Sequence, residues 1–216
     1  MPHGENNMLA DLRRRLNVFA YRSDGQAEGS VLSRLPLLLT GLSWRTWAFT
    51  ALTAALIAGA AARYRDAGEV VLVGIYIAIL VTCAATDLAS FRVPNAITYP
   101  AIILALVAAA LMPNGDFRSA LVGAGTAAGF MLVALIISRG AMGLGDVKLS
   151  IFAGLALGWP RISDALLLMA LSGGAVAVVL LATRIRGRRD PIPYAPFISA
   201  ATIAVILWQG TTFARF

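Results

Sequence analysis

The sequence predicts an all-α fold: a polytopic membrane bundle of about six or seven transmembrane helices. Three observations predict it. Of the 216 residues, 59% are hydrophobic and the mean hydropathy is +0.78, too apolar for a soluble chain of this size. The apolar residues recur in long runs along most of the chain instead of supplying one buried core. The 18 basic residues, all Arg except Lys148, gather in the short connections between those runs, as membrane loops require. They form no extended basic face, so a nucleic-acid partner is not expected.

Residues 1–43 are a basic N-terminal segment. Met8, Leu9, Leu12, Leu16 and Phe19 stand at helical spacing against Arg13, Arg14 and Arg15. An amphipathic helix lying on an anionic lipid surface and a disordered leader fit this pattern equally. No cleavable signal peptide is evident, because the first long apolar run begins only after Arg45.

Residues 44–216 hold seven expected spans. They run about Trp44–Ala62, Glu69–Thr86, Ala96–Met112, Phe117–Ser138, Asp146–Trp159, Ile162–Ile185 and Pro196–Phe213. The fifth is short for a hydrocarbon layer ~30 Å thick. It is expected as a broken or re-entrant segment, tolerable only where protein or a cavity surrounds it. With the N-terminus inside, thirteen of the 18 basic residues fall on the inner side, chiefly in the N-terminal segment and the Arg184–Arg189 loop. The positive-inside rule then places the N-terminus in the cytoplasm.

Two carboxylates stand out. Asp87 closes the second span and Asp146 opens the fifth. A carboxylate at membrane depth costs roughly 2.5–3.5 kcal/mol on insertion scales, which makes it a functional candidate by default. Two spans lie between them, so the chain returns to the same face, and the orientation makes that face cytoplasmic. Pro94 is expected to end the helix after Asp87 or to force an extended turn. Gly140, Gly143 and Gly145 precede Asp146, where glycine permits the tight or left-handed backbone needed for close approach. Gly125 with Gly129 and Gly154 with Gly158 offer small faces for helix packing. Asp66, Glu69, Asp116 and Asp164 fall in outer loops and are expected to be solvated, while Asp190 is expected to pair with neighbouring arginines.

Residue chemistry leaves three uses of the pair open. Two neighbouring carboxyls share a proton, so one acts as acid and the other as base, which suits hydrolysis by activated water. The same acids could form the binding site of a transporter or of an ion or proton channel. Or each could cap a helix or pair locally, Asp146 with Lys148 and Asp87 with Arg92. With one His, His3, and one Cys, Cys83, neither a metal site nor a cofactor is expected.

The residue strings favour the first use. Gly143-Leu144-Gly145-Asp146-Val147-Lys148 resembles the GxGD signature of membrane aspartyl proteases. Asp87 with Pro94 and Asn95 resembles the first-aspartate motif of the type IV prepilin peptidase family. Pro193-Tyr194-Ala195-Pro196-Phe197 is similar to that family's Pro-Phe-Gly-Pro-Phe segment, with Tyr for Phe and Ala for Gly. The resemblance covers roughly residues 70–205 and makes 44–216 a membrane-embedded peptidase domain. It implies that Asp87 and Asp146 are the catalytic pair, with Gly143, Gly145, Lys148, Pro94 and Asn95 shaping the site or holding substrate. It implies a prepilin or pseudopilin substrate with a short basic leader and a hydrophobic helix, cleaved at the cytoplasmic face of the bacterial inner membrane, with lipid as the other partner. Larger relatives carry paired Cys-x-x-Cys motifs in a cytoplasmic domain and also methylate the new N-terminus. Cys83 stands alone here, so the chain looks more like the short members serving Flp/Tad-type pili, and methyl transfer is not expected.

Overall fold

Seven helices make up the described chain in a computed structural model, which describes residues 44–138, 142–183 and 193–214. They are α1 (Trp44–Arg63), α2 (Ala67–Ser90), α3 (Asn95–Leu111), α4 (Phe117–Ile137), α5 (Leu144–Leu157), α6 (Arg161–Ala182) and α7 (Ala195–Gln209). Each lies within a few residues of its expected span. The chain divides into two compact units, 1–48 and 49–216. The first is described only over its last helical residues, and the second carries both aspartates. The expectations for residues 1–43, Gly140, Asp190 and the Arg184–Arg189 loop lie outside the described residues.

Helices α2, α4 and α6 are long and apolar enough to cross a bilayer, and α3 and α7 are shorter apolar helices. The protein is a membrane protein built as an all-α bundle. Helix α5 has 14 residues, ~21 Å at the helical rise, too short to span hydrocarbon alone. Its place in the bundle explains why that is tolerated. It packs against α3, α4, α6 and α7, and ten of its residues are buried. Surrounded by protein, it presents little backbone to lipid.

The tightest crossing is between α4 and α5. A Cβ on Gly123 would run into the Gly154 carbonyl and lie 2.8 Å from the Gly158 Cα. The Gly154–Gly158 pair is thus a packing face, as expected. Gly125 and Gly129 are not, since a Cβ on either would meet nothing within 4 Å. They sit on a different side of α4 from Gly123, and the helical turn decides which glycine faces the neighbour.

Of the outer-loop acids, Asp66 and Asp164 are exposed, as expected, and Asp66, Asp116 and Asp164 also make specific contacts. Asp66 accepts from the Glu69 N–H at 3.1 Å and Asp116 from the Ser119 N–H at 2.9 Å. Both are N-caps of long helices, satisfying donors the helix leaves free. Asp164 accepts from the Gln209 amide at 2.6 Å, tying α6 to α7. At this end Tyr64 Oη donates to the Ile206 carbonyl at 2.8 Å and the Thr212 N–H to the Ala156 carbonyl at 2.9 Å. Below them Tyr76 packs edge-on against Phe152 and Phe213.

Candidate active site

The last turn of α2 and the first turn of α5 build the site. Asp87 lies within α2, which continues to Ser90, and not at its end. What stops α2 is Phe91, in the left-handed region at φ 53°, with its N–H on the Asp87 carbonyl at 2.8 Å. A bulky residue there is uncommon and strained. Pro94 therefore does not terminate α2. Its backbone is extended (φ −71°, ψ 124°), it is the N-cap of α3, and its carbonyl accepts from Ile97 and Thr98. The extended-turn alternative is the one adopted.

On the other side Gly143 is the N-cap of α5, and its carbonyl accepts from the Asp146 N–H at 3.2 Å. Its φ is −89°, so left-handed freedom is not what this glycine supplies. Gly145 lies inside α5, and its use is steric. A Cβ there would sit 2.9 Å from the Val93 Cβ. Its missing side chain lets the α2–α3 turn rest directly on the start of α5, which brings the two aspartates to one place.

Asp87 and Asp146 line a single cavity of about 380 Å³, with Phe91, Arg92, Asn95 and Lys148 among its walls. Both are buried, with 5% and 7% of their surfaces exposed, although they border an open cleft. Their surroundings are unequal. Asp87 Oδ2 accepts the backbone N–H of Ala195 at 3.1 Å, from the first turn of α7. A helix N-terminus favours an anion there. Among the described residues, Asp146 Oδ1 has no hydrogen-bond partner, and neither has buried Ser150 Oγ one turn further along α5. Orphaned buried polar atoms are rare and call for a reason.

Local pairing does not account for the acids. Lys148 Nζ donates to Asn95 Oδ1 at 2.9 Å and stands 4.7 Å from the Tyr99 ring centroid. The lysine thus fastens α5 to α3 and presents its charge at the cavity wall; it does not neutralise Asp146. Asp87 takes its hydrogen bond from Ala195, while Arg92 lies exposed on the rim. Cys83 is buried, as its apolar surroundings require. No cluster of three His, Cys, Asp or Glu side chains that could hold a metal occurs among the described residues.

All seven expected site residues except Pro94 line this cavity, and Pro94 shapes its turn. The residue missing from that expected set is Ala195, which acts through its backbone. Its signal was the Pro193–Phe197 string, which could not say what an alanine does there. A buried pair with one oxygen held by a donor and another left without one can share a proton, hold a water and polarise a carbonyl.

Residues 74–178, which include both aspartates, match the family described as the Type IV leader peptidase family. This part of the chain belongs to the type IV leader peptidase family. Among curated relatives, the prepilin leader peptidase/N-methyltransferase of Bacillus subtilis (strain 168) is 31% identical over 158 residues, covering 72% of this chain and 63% of the relative. The protein of the same name from Burkholderia pseudomallei (strain 1026b) is 30% identical over 169 residues, covering 74% and 53%. That of Aeromonas salmonicida (strain A449) is 29% identical over 140 residues, covering 60% and 46%. The chain thus spans about half to two thirds of the length of these leader peptidase relatives. No solved structure matches it.

Proposed function

We propose that the chain is an aspartic endopeptidase that removes the short basic leader of a type IV prepilin or pseudopilin at the cytoplasmic face of the bacterial inner membrane. The observation that carries this is the convergence of Asp87 and Asp146 on one cavity, within a stretch of leader peptidase family sequence. The relatives are named for leader cleavage. The basic residues of the loops favour a cytoplasmic site, the side on which a basic leader is retained. Nothing among the relatives supports the transporter reading of the same acids.

In this mechanism the dyad shares one proton. The carboxylate form takes a proton from water as the water attacks the scissile carbonyl carbon. The protonated partner donates to the carbonyl oxygen, giving a neutral tetrahedral diol. Collapse of the diol breaks the C–N bond, with proton transfer to the leaving amine. No covalent intermediate forms. Lys148, Asn95, Gly143 and Gly145 shape the cleft around the leader. The single, buried Cys83 favours cleavage without methylation.

Asp87→Asn and Asp146→Asn test this. Each is expected to lower leader removal from a co-expressed prepilin by at least ~10³-fold, read as the mass of the pilin, with the enzyme still inserted in the membrane. Near wild-type processing by either variant refutes the dyad. A processed pilin one methyl group heavier, dependent on this protein alone, refutes cleavage without methylation.

A further inference from the structure

A second concavity starts at residues next in sequence to those of the site. Helices α1, α2 and α7 enclose an apolar groove of about 510 Å³. Its floor includes Ala84 of α2 and Ala200 and Ala204 of α7. Ser199 is the hydroxyl in its lining, and that hydroxyl is spent on the Leu80 carbonyl at 2.9 Å. The groove therefore offers no polar partner to an extended peptide. In apolar surroundings a chain segment must satisfy its own backbone, which a helix does. Small residues on the floor let such a helix approach closely.

The position of the groove identifies its occupant. Leu88, which lines it, directly follows Asp87. Pro196, which also lines it, directly follows Ala195, whose N–H holds Asp87. On both helices the groove begins one residue from the carboxylate contact. From Pro196 the lining continues to Leu207 at steps of three and four residues along one face of α7, ~16 Å of helix. One end of the groove is thus set by residues next in sequence to the carboxylate contact, and Leu88 there is half exposed.

We propose that this groove seats the apolar helix that begins just beyond the scissile bond of the substrate, delivering the bond end-on to Asp87. The inference rests on the peptidase reading above. A polypeptide cut at the dyad continues either into water or along this face, and an apolar helix takes the face. Recognition then has two parts: the cleft reads the leader, and the groove reads the helix.

Site-specific photocross-linking in membranes tests it. Benzoyl-phenylalanine is placed at Leu88, Leu207 or, as a control on the exposed face of α6, Val178 of the full chain. The chain also carries Asp146→Asn, so that a co-expressed prepilin with a basic leader and one apolar helix persists uncut. Position 88 is expected to cross-link the first turn of the prepilin helix and position 207 a point about three turns further on, with little capture at 178. Equal capture at 178, or cross-links confined to lipid, to residues 1–43 of this chain or to a second copy, overturns the proposal. Independently, Ala204→Trp is expected to raise KM for the full-length prepilin by about tenfold, as one lost helix-packing contact would, whereas Val178→Trp does not. A wild-type KM for Ala204→Trp overturns it. Leader removal that survives Asp146→Asn would instead refute the peptidase reading. Removal that needs Asp146 but ignores the groove refutes this inference alone.

Discussion

The two ends of the helix bundle are built on opposite rules. Where α2 starts and α7 ends, the outer layer of polar groups is paired: Asp66 and Asp116 cap helices, Tyr64 reaches Ile206, Gln209 reaches Asp164, and Ser119 Oγ donates to the Trp159 carbonyl. Deeper in, Tyr76 Oη has no partner among the described residues. Where α2 ends and α5 starts, Asp146 Oδ1 and Ser150 Oγ are buried with no partner among the described residues, Phe91 is strained, and a cleft stands open. The first end holds helices in register. The second departs from the rules of good packing where chemistry is needed, as functional sites do. The acids at the two ends are the same residue type, and only their partners separate a cap from a candidate catalyst.

The largest expected effect breaks this contrast at the site. Asp146→Asn is expected to abolish processing while leaving thermal stability in detergent unchanged or higher, because Asp146 Oδ1 is buried with no donor among the described residues, a burden on the fold. A large loss of Tm would make Asp146 a structural residue. Next comes Gly154→Leu, which forces a side chain into the Gly123 backbone. Overpacking here is expected to destabilise by about 3 kcal/mol, seen as a lower Tm and faster proteolysis. Gly145→Val drives a side chain into Val93 and is expected to lower kcat by ~10–100-fold, since a ~1 Å displacement of catalytic groups has that effect, with a smaller change in Tm. The smallest effect belongs to the paired end. Tyr64→Phe removes one buried hydrogen bond, worth about 1 kcal/mol, lowering Tm by ~2–4 °C with processing rate retained. A rate loss as large as that of Gly145→Val would show that the two ends are coupled.

Much of the molecule was legible in its sequence. Hydropathy delimited all seven helices to within a few residues, because each apolar run is bounded by charge, Pro or Gly. The even number of spans between Asp87 and Asp146 placed them on one face, and motif resemblance singled them out. Less legible was the use made of individual residues. Of the two uses expected of Pro94, stopping α2 or forcing an extended turn, the structure takes the second, and Phe91 stops α2. Gly143 and Gly145 were expected to supply backbone freedom, whereas Gly145 supplies space against Val93. Gly125 and Gly129 matched a Gly-x-x-x-Gly motif but a Cβ on either meets nothing within 4 Å among the described residues, while Gly123, outside that motif, makes the contact.

Sequence alone determined the class of protein, the extent of its helices and the pair of acids, because burial in lipid imposes long apolar runs and makes every charge within them conspicuous. Tertiary structure alone decided that the α7 N-terminus holds Asp87, that Lys148 is fastened to Asn95 and Tyr99, and that an apolar groove starts at Leu88 and Pro196, next in sequence to Asp87 and Ala195. Each of these depends on which face of a helix meets its neighbour. A backbone N–H or a missing Cβ gains its role from a partner tens of residues away, and local sequence does not specify that partner.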